Sequence, residues 1–348
     1  MSFPHFEVEQ FRRDLLAWFE RCKRDLPWRR TRDPYAIWLS ETMLQQTRVT
    51  TAIPYYEKFL ARFPDYRALA ESPEADLLAM WAGLGYYYRA RNMRKAALSM
   101  LDSGEFPSCY ETLRALPGVG DYTAAAVASI AFDLPHAVVD GNVLRVLSRL
   151  MADGSDIAST VGRRRFSQLA AYLLDPNRPG DFNQAVMELG ATVCLPKSPQ
   201  CLLCPVSALC RARAAGTQTQ YPVKLSKQQK LQESRTVFWI EHEARVLAWQ
   251  RPQNSSLMAG FWELPERTHL QSVSPTNRIG SFRHGITFHS YTFEVVEALP
   301  PSKIGSCVWL DTSSLTGIPV STIFKKARHA VEKSRRHATA VSKAASRG

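Results

Sequence analysis

The sequence predicts a mainly α-helical N-terminal domain, residues 1–213, followed by an α+β domain, residues 235–323. Three observations carry this. Apolar residues recur at helical spacing along the first two hundred positions, and the period switches to two beyond about residue 235. Four of the seven cysteines gather where the helical pattern ends. A chain of 348 residues is also long for one domain.

The first helix is read over 8–24, where Phe11, Leu15, Leu16, Trp18 and Phe19 share one face. Leu26-Pro27-Trp28-Arg29 breaks it. Asp33-Pro34 then starts a helix over 34–48, with Asp as cap and Pro at the first helical position. Within it, Glu41 has Ile37 and Trp38 behind it and Leu44 ahead on the same face. A glutamate among such neighbours loses hydration and its pKa rises; the alternative is a rim carboxylate that reaches water. A further helix over 51–62 and a short one capped at Ser72 lead to Gly83-Leu84-Gly85-Tyr86-Tyr87-Tyr88-Arg89. Tyrosines beside arginines suit stacking on bases and contact with phosphates, or a tyrosine core.

Ser108 to Glu111 reads as a capping box opening the next helix. A tight hairpin follows, Leu116-Pro117-Gly118-Val119-Gly120, and then a second helix to Phe132. Gly118 and Gly120 permit a sharp turn and close approach of a ligand, and the amides of Gly118, Val119 and Gly120 at a helix start suit a phosphate. Asp140 stands at the start of a helix over 142–151, where the helix dipole favours an anion. Helices over 162–174 and 181–193 complete the domain.

Cys194, Cys201, Cys204 and Cys210 follow the spacing C-x6-C-x2-C-x5-C. Structural zinc sites usually pair two short knuckles or use histidine, so an iron–sulfur cluster fits better, with zinc left open by spacing alone. Residues 214–234 are polar and read as a linker. Strands are expected at 236–241, 245–250, 290–297 and 307–310. The basic tail, 324–348, reads as disordered.

The net charge of +12 and the pI near 9.5 point to a polyanionic partner, nucleic acid before membrane. No signal peptide and no apolar run of membrane-spanning length are visible, so a soluble, cytoplasmic protein is expected.

Taken together, the helix Trp38–Thr47, the Gly83–Tyr87 turn, the hairpin 116–120, Val139-Asp140-Gly141-Asn142-Val143 and the cysteine spacing closely resemble the MutY-type adenine DNA glycosylases, in the helix-hairpin-helix glycosylase superfamily. The resemblance covers about residues 8–213. It implies a monomeric base-excision enzyme that flips adenine out of duplex DNA, where it is mispaired with 8-oxoguanine or guanine, and hydrolyses its glycosidic bond. It implies Glu41 as general acid on the base and Asp140 as the anion facing the sugar, with Tyr122 and Asn142 orienting the two carboxylates. To be half protonated at pH 7, Glu41 needs an upward shift of roughly 2.7 units, about 3.7 kcal/mol. Arg29 and Glu188 match positions around the extruded base. Leu44, Gln46 and Tyr86 fall on the DNA side, and the latter two match residues that fill the gap in the duplex. The cysteines would carry a [4Fe–4S] cluster. The related endonuclease III family has a lysine nucleophile where Tyr122 stands, so no Schiff base with the sugar is expected.

The second domain resembles the Nudix-type domain appended to such enzymes, starting at Gly260-Phe261-Trp262-Glu263-Leu264-Pro265. The acidic metal-binding segment that should follow is absent, so pyrophosphohydrolysis is not expected. Its implied role is reading the opposite base, through a loop matching His284–His289. Two other readings stay open from the sequence: a thymine or uracil mismatch glycosylase, and a DNA-binding protein without activity.

Overall fold

The computed structural model describes residues 7–225, 231–252, 254–255, 258–286, 289–316 and 318–345, with side chains to 336 apart from Ile286 and Thr316. It divides into two compact units, 1–227 and 228–348.

The first unit is helical: α1 (Val8–Cys22), α2 (Pro34–Leu44), α3 (Val49–Arg62), α4 (Tyr66–Glu71), α5 (Glu74–Trp81), α6 (Tyr88–Ser103), α7 (Tyr110–Ala115), α8 (Asp121–Phe132), α9 (Gly141–Met151), α10 (Thr160–Leu173), α11 (Pro179–Thr192) and α12 (Arg211–Ala214). Caps set several boundaries. Asp33 accepts from the Ala36 amide at 3.1 Å, with Pro34 at the first helical position, and Asp140 accepts from the Val143 amide at 2.7 Å. The expected capping box is not formed. Helix α7 begins one residue later, with Cys109 as its N-cap and the Cys109 thiol against the Thr112 hydroxyl, so Glu111 does not reach back.

Two apolar masses hold these helices. One packs the buried faces of α1, α9, α10 and α11, among them Phe11, Leu15, Leu147, Phe166 and Leu189. The other includes Phe59, Phe63 and Trp81, joined by edge-to-face rings, and Trp38, which meets Tyr35 and Phe106 in the same way. Gly190 lets α9 and α11 approach closely: a Cβ there would stand 2.7 Å from Asn142 Cβ. That contact brings the start of α9 against the last turn of α11.

The stretch expected to be a linker begins differently. Gln218–Gln220 forms a 3₁₀ turn, the Tyr221 carbonyl accepts from Arg149 Nε at 3.1 Å, and the Ile157 amide donates to Val223 O at 3.1 Å. Residues up to about 223 therefore pack on the helical unit. These bonds are long-range and leave no periodic signal.

The second unit begins with β1 (Leu231–Trp239), inside the expected linker, and continues with β2 (Glu241–His242), β3 (Arg245–Gln250), β4 (Trp262–Glu263), β5 (Ser274–Ile286), β6 (His289–Leu299), β7 (Cys307–Asp311) and α13 (Thr322–Ala345). One sheet runs β1-β6-β5, with β1 parallel and β5 antiparallel to β6. In the other, β3 pairs antiparallel with β2, β4 and β7. Strand β5 was not expected, because Ser274-Pro275 reads as a loop; it is an edge strand with register shifts at 275–277 and 278–280, where proline and glycine are tolerated. The tail is also corrected. Phe324, Ala327 and Val331 are buried against Trp239 and Phe293, so 322–345 is a helix carrying an apolar stripe inside a basic composition.

Candidate active site

A cavity of ≈ 220 Å³ opens in the helical unit between α2 and α8 on one side and α9 and α11 on the other. Glu41, Leu44, Tyr122, Asp140, Asn142, Arg29 and Glu188 all line it. The residues came from five separate stretches of chain, and the helix packing brings them to one place.

Glu41 is buried, on a helix whose residues from Tyr35 to Met43 are all buried. Loss of water pushes its carboxyl up to about 7. Tyr122 opposes that rise: its phenol donates to Glu41 Oε2 at 2.6 Å and favours the charged form. Nearby Asp140 adds to the rise and Arg29 reduces it. Burial and the two carboxylates hold the Tyr122 phenol well above its ordinary value, so it remains a donor.

Asp140 caps α9. Its Oδ1 accepts the Val143 amide, and its Oδ2 accepts Asn142 Nδ2 at 2.9 Å. Asn142 is held in turn, because its Oδ1 accepts from Arg145 Nη2 at 3.0 Å. Arg145 also donates to Gly190 O at 2.7 Å and Cys194 O at 2.8 Å. The start of α9 is thus pinned to α11 and to the head of the cysteine loop.

Glu188 lies on the opposite wall with no side-chain exposure. Burial would push its carboxyl up, but Arg24 and Arg29 prevail and hold it at about 2. Arg24 Nε and Nη2 each bond it at 2.7 Å, and Arg29 Nη2 at 2.8 Å. Arg24 was not singled out from the sequence; its position beside Leu26-Pro27 has no periodic signature.

Gln46 and Tyr86 do not line the cavity. Both are exposed, at the ends of turns, and both take left-handed backbone, φ 61° and 49°. In the hairpin Gly118 has φ +78°, and a Cβ there would stand 2.6 Å from Asn92 Cβ, so this turn requires glycine. One expectation is corrected: the Val119 amide is spent on Leu116 O at 3.1 Å and is not offered outward. The amides of Gly118 and Gly120 enter no hydrogen bond among the described residues.

Cys194, Cys201, Cys204 and Cys210 line one small cavity with Arg149, and all seven cysteines are free thiols. Arg149 is buried and clasps the loop, donating to Cys194 Sγ at 3.3 Å, Leu195 O at 2.7 Å and Pro196 O at 2.8 Å. Among the described residues, no three His, Cys, Asp or Glu side chains are placed to clasp a single ion.

The family of "HhH-GPD superfamily base excision DNA repair protein" matches residues 39–169. An adenine DNA glycosylase of Rattus norvegicus is 36% identical over 95% of this chain and 79% of its own length. This chain belongs to the adenine DNA glycosylase family. Another member, from Homo sapiens, is 42% identical over 75% of this chain, which spans only 58% of that relative's length. A solved thermostable thymine-DNA glycosylase aligns with 60% of the chain and 97% of its own, at 28% identity and a TM-score of 0.55. In this adenine DNA glycosylase family member the stretch expected as a loop, 284–289, is largely strand: His284 and Gly285 stand at the end of β5, paired with Tyr291 and Ser290, and His289 opens β6. Lys326 Nζ lies 3.5 Å from His284 Nδ1, and Thr287 and Phe288 lie outside the described residues. No helix among the described residues is long and apolar enough to cross a membrane.

Proposed function

We propose that this chain releases adenine from duplex DNA in which it is mispaired with 8-oxoguanine or guanine, without cutting the strand. The observation that carries the proposal is a buried glutamate poised near neutrality in the same cavity as a helix-capping aspartate. Two carboxylates in unlike environments are what glycosidic cleavage needs. At about 30 Å³ per water, the cavity holds roughly seven waters, room for an extruded base.

The Tyr122 phenol donates to Oε2, so Oε1 of protonated Glu41 is the atom that can pass its proton to adenine's five-membered ring. Protonation makes the base a better leaving group. The glycosidic electron pair departs with it, and positive charge develops on the sugar. Asp140, held by the Asn142 amide and the Val143 N–H, offsets that charge until water adds at the anomeric carbon. Arg24, Arg29 and Glu188 form a rigid polar wall against the base edge. Gln46 and Tyr86 occupy the space the base leaves, and Gly118 and Gly120 present amides to a phosphate. Tyr122 offers no amine, so no Schiff base forms.

The four thiols suit a [4Fe–4S] cluster. The donor set is all sulfur, and the thiols ring a cavity without converging on a single-ion point. Bound there, the cluster would tie the ends of loop 194–210 together, next to the Arg145 and Arg149 contacts. The second unit would read the opposite base. A Nudix-like fold and a monomeric state belong to the same reading.

Base release from duplexes carrying A opposite 8-oxoguanine, A opposite G, and T or U opposite G tests it. Adenine should be released from the first two only, and Glu41→Gln and Asp140→Asn should abolish release while still binding duplex. Release of T or U alone would give the enzyme to the mismatch class, and normal turnover in either variant would remove the two-carboxylate assignment. Iron and sulfide content with visible absorption decides the metal.

A further inference from the structure

The first turn of α6 sends Arg89 inward, and the residue is only 3% exposed. Its guanidinium reaches two separate turns. On one side Nη1 bonds Thr42 O at 2.9 Å, Met43 O at 3.1 Å and Gln45 O at 2.5 Å, and Nη2 lies 3.4 Å from Thr47 Oγ1. On the other, Nη2 bonds Leu84 O and Gly85 O, each at 3.2 Å. The first three carbonyls end α2, where a helix leaves its acceptors unsatisfied and favours a cation.

The atoms chosen are informative. Gln45 O and Thr47 Oγ1 bracket Gln46, and Gly85 O belongs to the peptide before Tyr86. Gln46 and Tyr86 hold the strained backbone found in these turns, φ 61° and 49°. A side chain in that region costs on the order of 1 kcal/mol or more and persists only when its surroundings dictate it. The guanidinium also lies 5.5 Å from the centroid of the Tyr86 ring and 5.3 Å from that of Trp81, whose indole N–H donates to Gly85 O at 3.0 Å. One buried cation therefore touches the peptide on each strained residue and one of the two side chains.

We propose that Arg89 is a positioning residue that locks Gln46 and Tyr86 into one rigid wedge, so that the two enter the duplex together when the base is extruded. The inference rests on the reading that these two residues fill the gap in DNA. It adds that neither acts independently, and that a residue outside the cavity controls base opening rather than bond cleavage.

The test uses the full chain with 2-aminopurine in place of the mispaired adenine, in the Asp140→Asn background, so that fluorescence reports extrusion alone. Arg89→Lys keeps the charge but cannot span both turns. It should cut the extruded fraction about tenfold, the scale of losing several buried hydrogen bonds to a charged group. In otherwise native enzyme it should slow release from A opposite 8-oxoguanine by a similar factor, and slow release far less from A opposite an abasic site, where less must be unstacked. Gln46→Ala or Tyr86→Ala combined with Arg89→Lys should lose little more than Arg89→Lys alone. Trp81→Phe removes the second donor to Gly85 and should move extrusion the same way by a smaller factor, which keeps the test open if Arg89→Lys does not fold. Equal slowing on both substrates, or additive losses in the double variants, overturns the wedge while leaving the adenine-release reading intact. Full extrusion in Gln46→Ala and Tyr86→Ala overturns the role of the pair and the wedge with it. Absence of any adenine release by native enzyme overturns the functional reading first.

Discussion

Two glutamates face one cavity from opposite walls and differ in protonation near neutrality, Glu41 poised to hold a proton and Glu188 ionised. Glu41 and Glu188 are both buried, 5% and 1% exposed. Glu41 sits beside a neutral phenol and near another carboxylate, and is pushed to about 7. Glu188 is gripped by two guanidiniums and held at about 2. Burial is common to both, so burial does not decide the protonation state. The partners do, and they divide the cavity into a wall that can give up a proton and a wall that cannot.

Removing the acid from each wall should break that contrast most visibly. Glu41→Gln keeps an acceptor for Tyr122 but has no proton to give. Single-turnover release should fall on the order of a thousandfold, within the range for loss of a general acid. Glu188→Gln should lose far less in the chemical step, because Glu188 never holds a proton at working pH. If both variants lose activity equally, proton donation is not what separates the walls.

Their stabilities should move in opposite directions. Glu41 has a folded pKa above its unfolded one, so its contribution is complete below about pH 4.5 and is lost as pH rises through about 7. At pH 8 the charged form is a burden of about 3 kcal/mol at most, and Glu41→Gln should raise the melting temperature there. Glu188 has a depressed pKa, so its contribution is present above about 4.5 and fades as pH falls towards 2. Glu188→Gln strands Arg24 and Arg29 and should cost about 3 kcal/mol at pH 7 to 8. Melting curves of both variants at pH 5 and pH 8 give the four numbers needed. A lower melting temperature for Glu41→Gln at pH 8 would show that its charge is compensated in the fold.

A finer change acts on the phenol. Tyr122→Phe removes the hydrogen bond that lowers the Glu41 pKa. The alkaline limb of the release rate, expected near pH 7, should therefore move to higher pH by about half a unit to one unit. A shift to lower pH would mean that Tyr122 favours the protonated acid.

What the sequence disclosed follows from how locally each feature is encoded. Asp33-Pro34, the glycine hairpin and Asp140 at a helix start are written in adjacent residues. They stand in the structure as caps and a turn, apart from the Val119 amide. The apolar neighbours of Glu41 indicated the direction of its pKa, but not the phenol beside it, which arrives from 81 positions away. Arg24 and Arg89 were illegible for the same reason. Each acts by reaching carbonyls or carboxylates on distant elements, and an arginine carries no sign of what it will reach. Helix α13 was hidden differently: its apolar residues keep their spacing, but lysines and arginines between them dominate the composition.

The smallest expected effect is also the one that ties both carboxylates to the identity of residue 122. Tyr122→Lys would place an amine where a Schiff base with the sugar becomes possible, and a trace of strand nicking should follow, trapped as a covalent adduct by borohydride. The same amine would lie at the position from which the phenol reaches Glu41 at 2.6 Å. A charged lysine there would pair with Glu41 and pull its pKa back down, while Glu41 and the surrounding apolar residues would pull the lysine in opposite directions. The variant should therefore release adenine more slowly at pH 7 even as it begins to nick, and its release should recover as pH falls towards the lowered pKa. Faster release together with nicking would mean that the proton does not come from Glu41, and would leave Asp140 as the only carboxylate the chemistry requires.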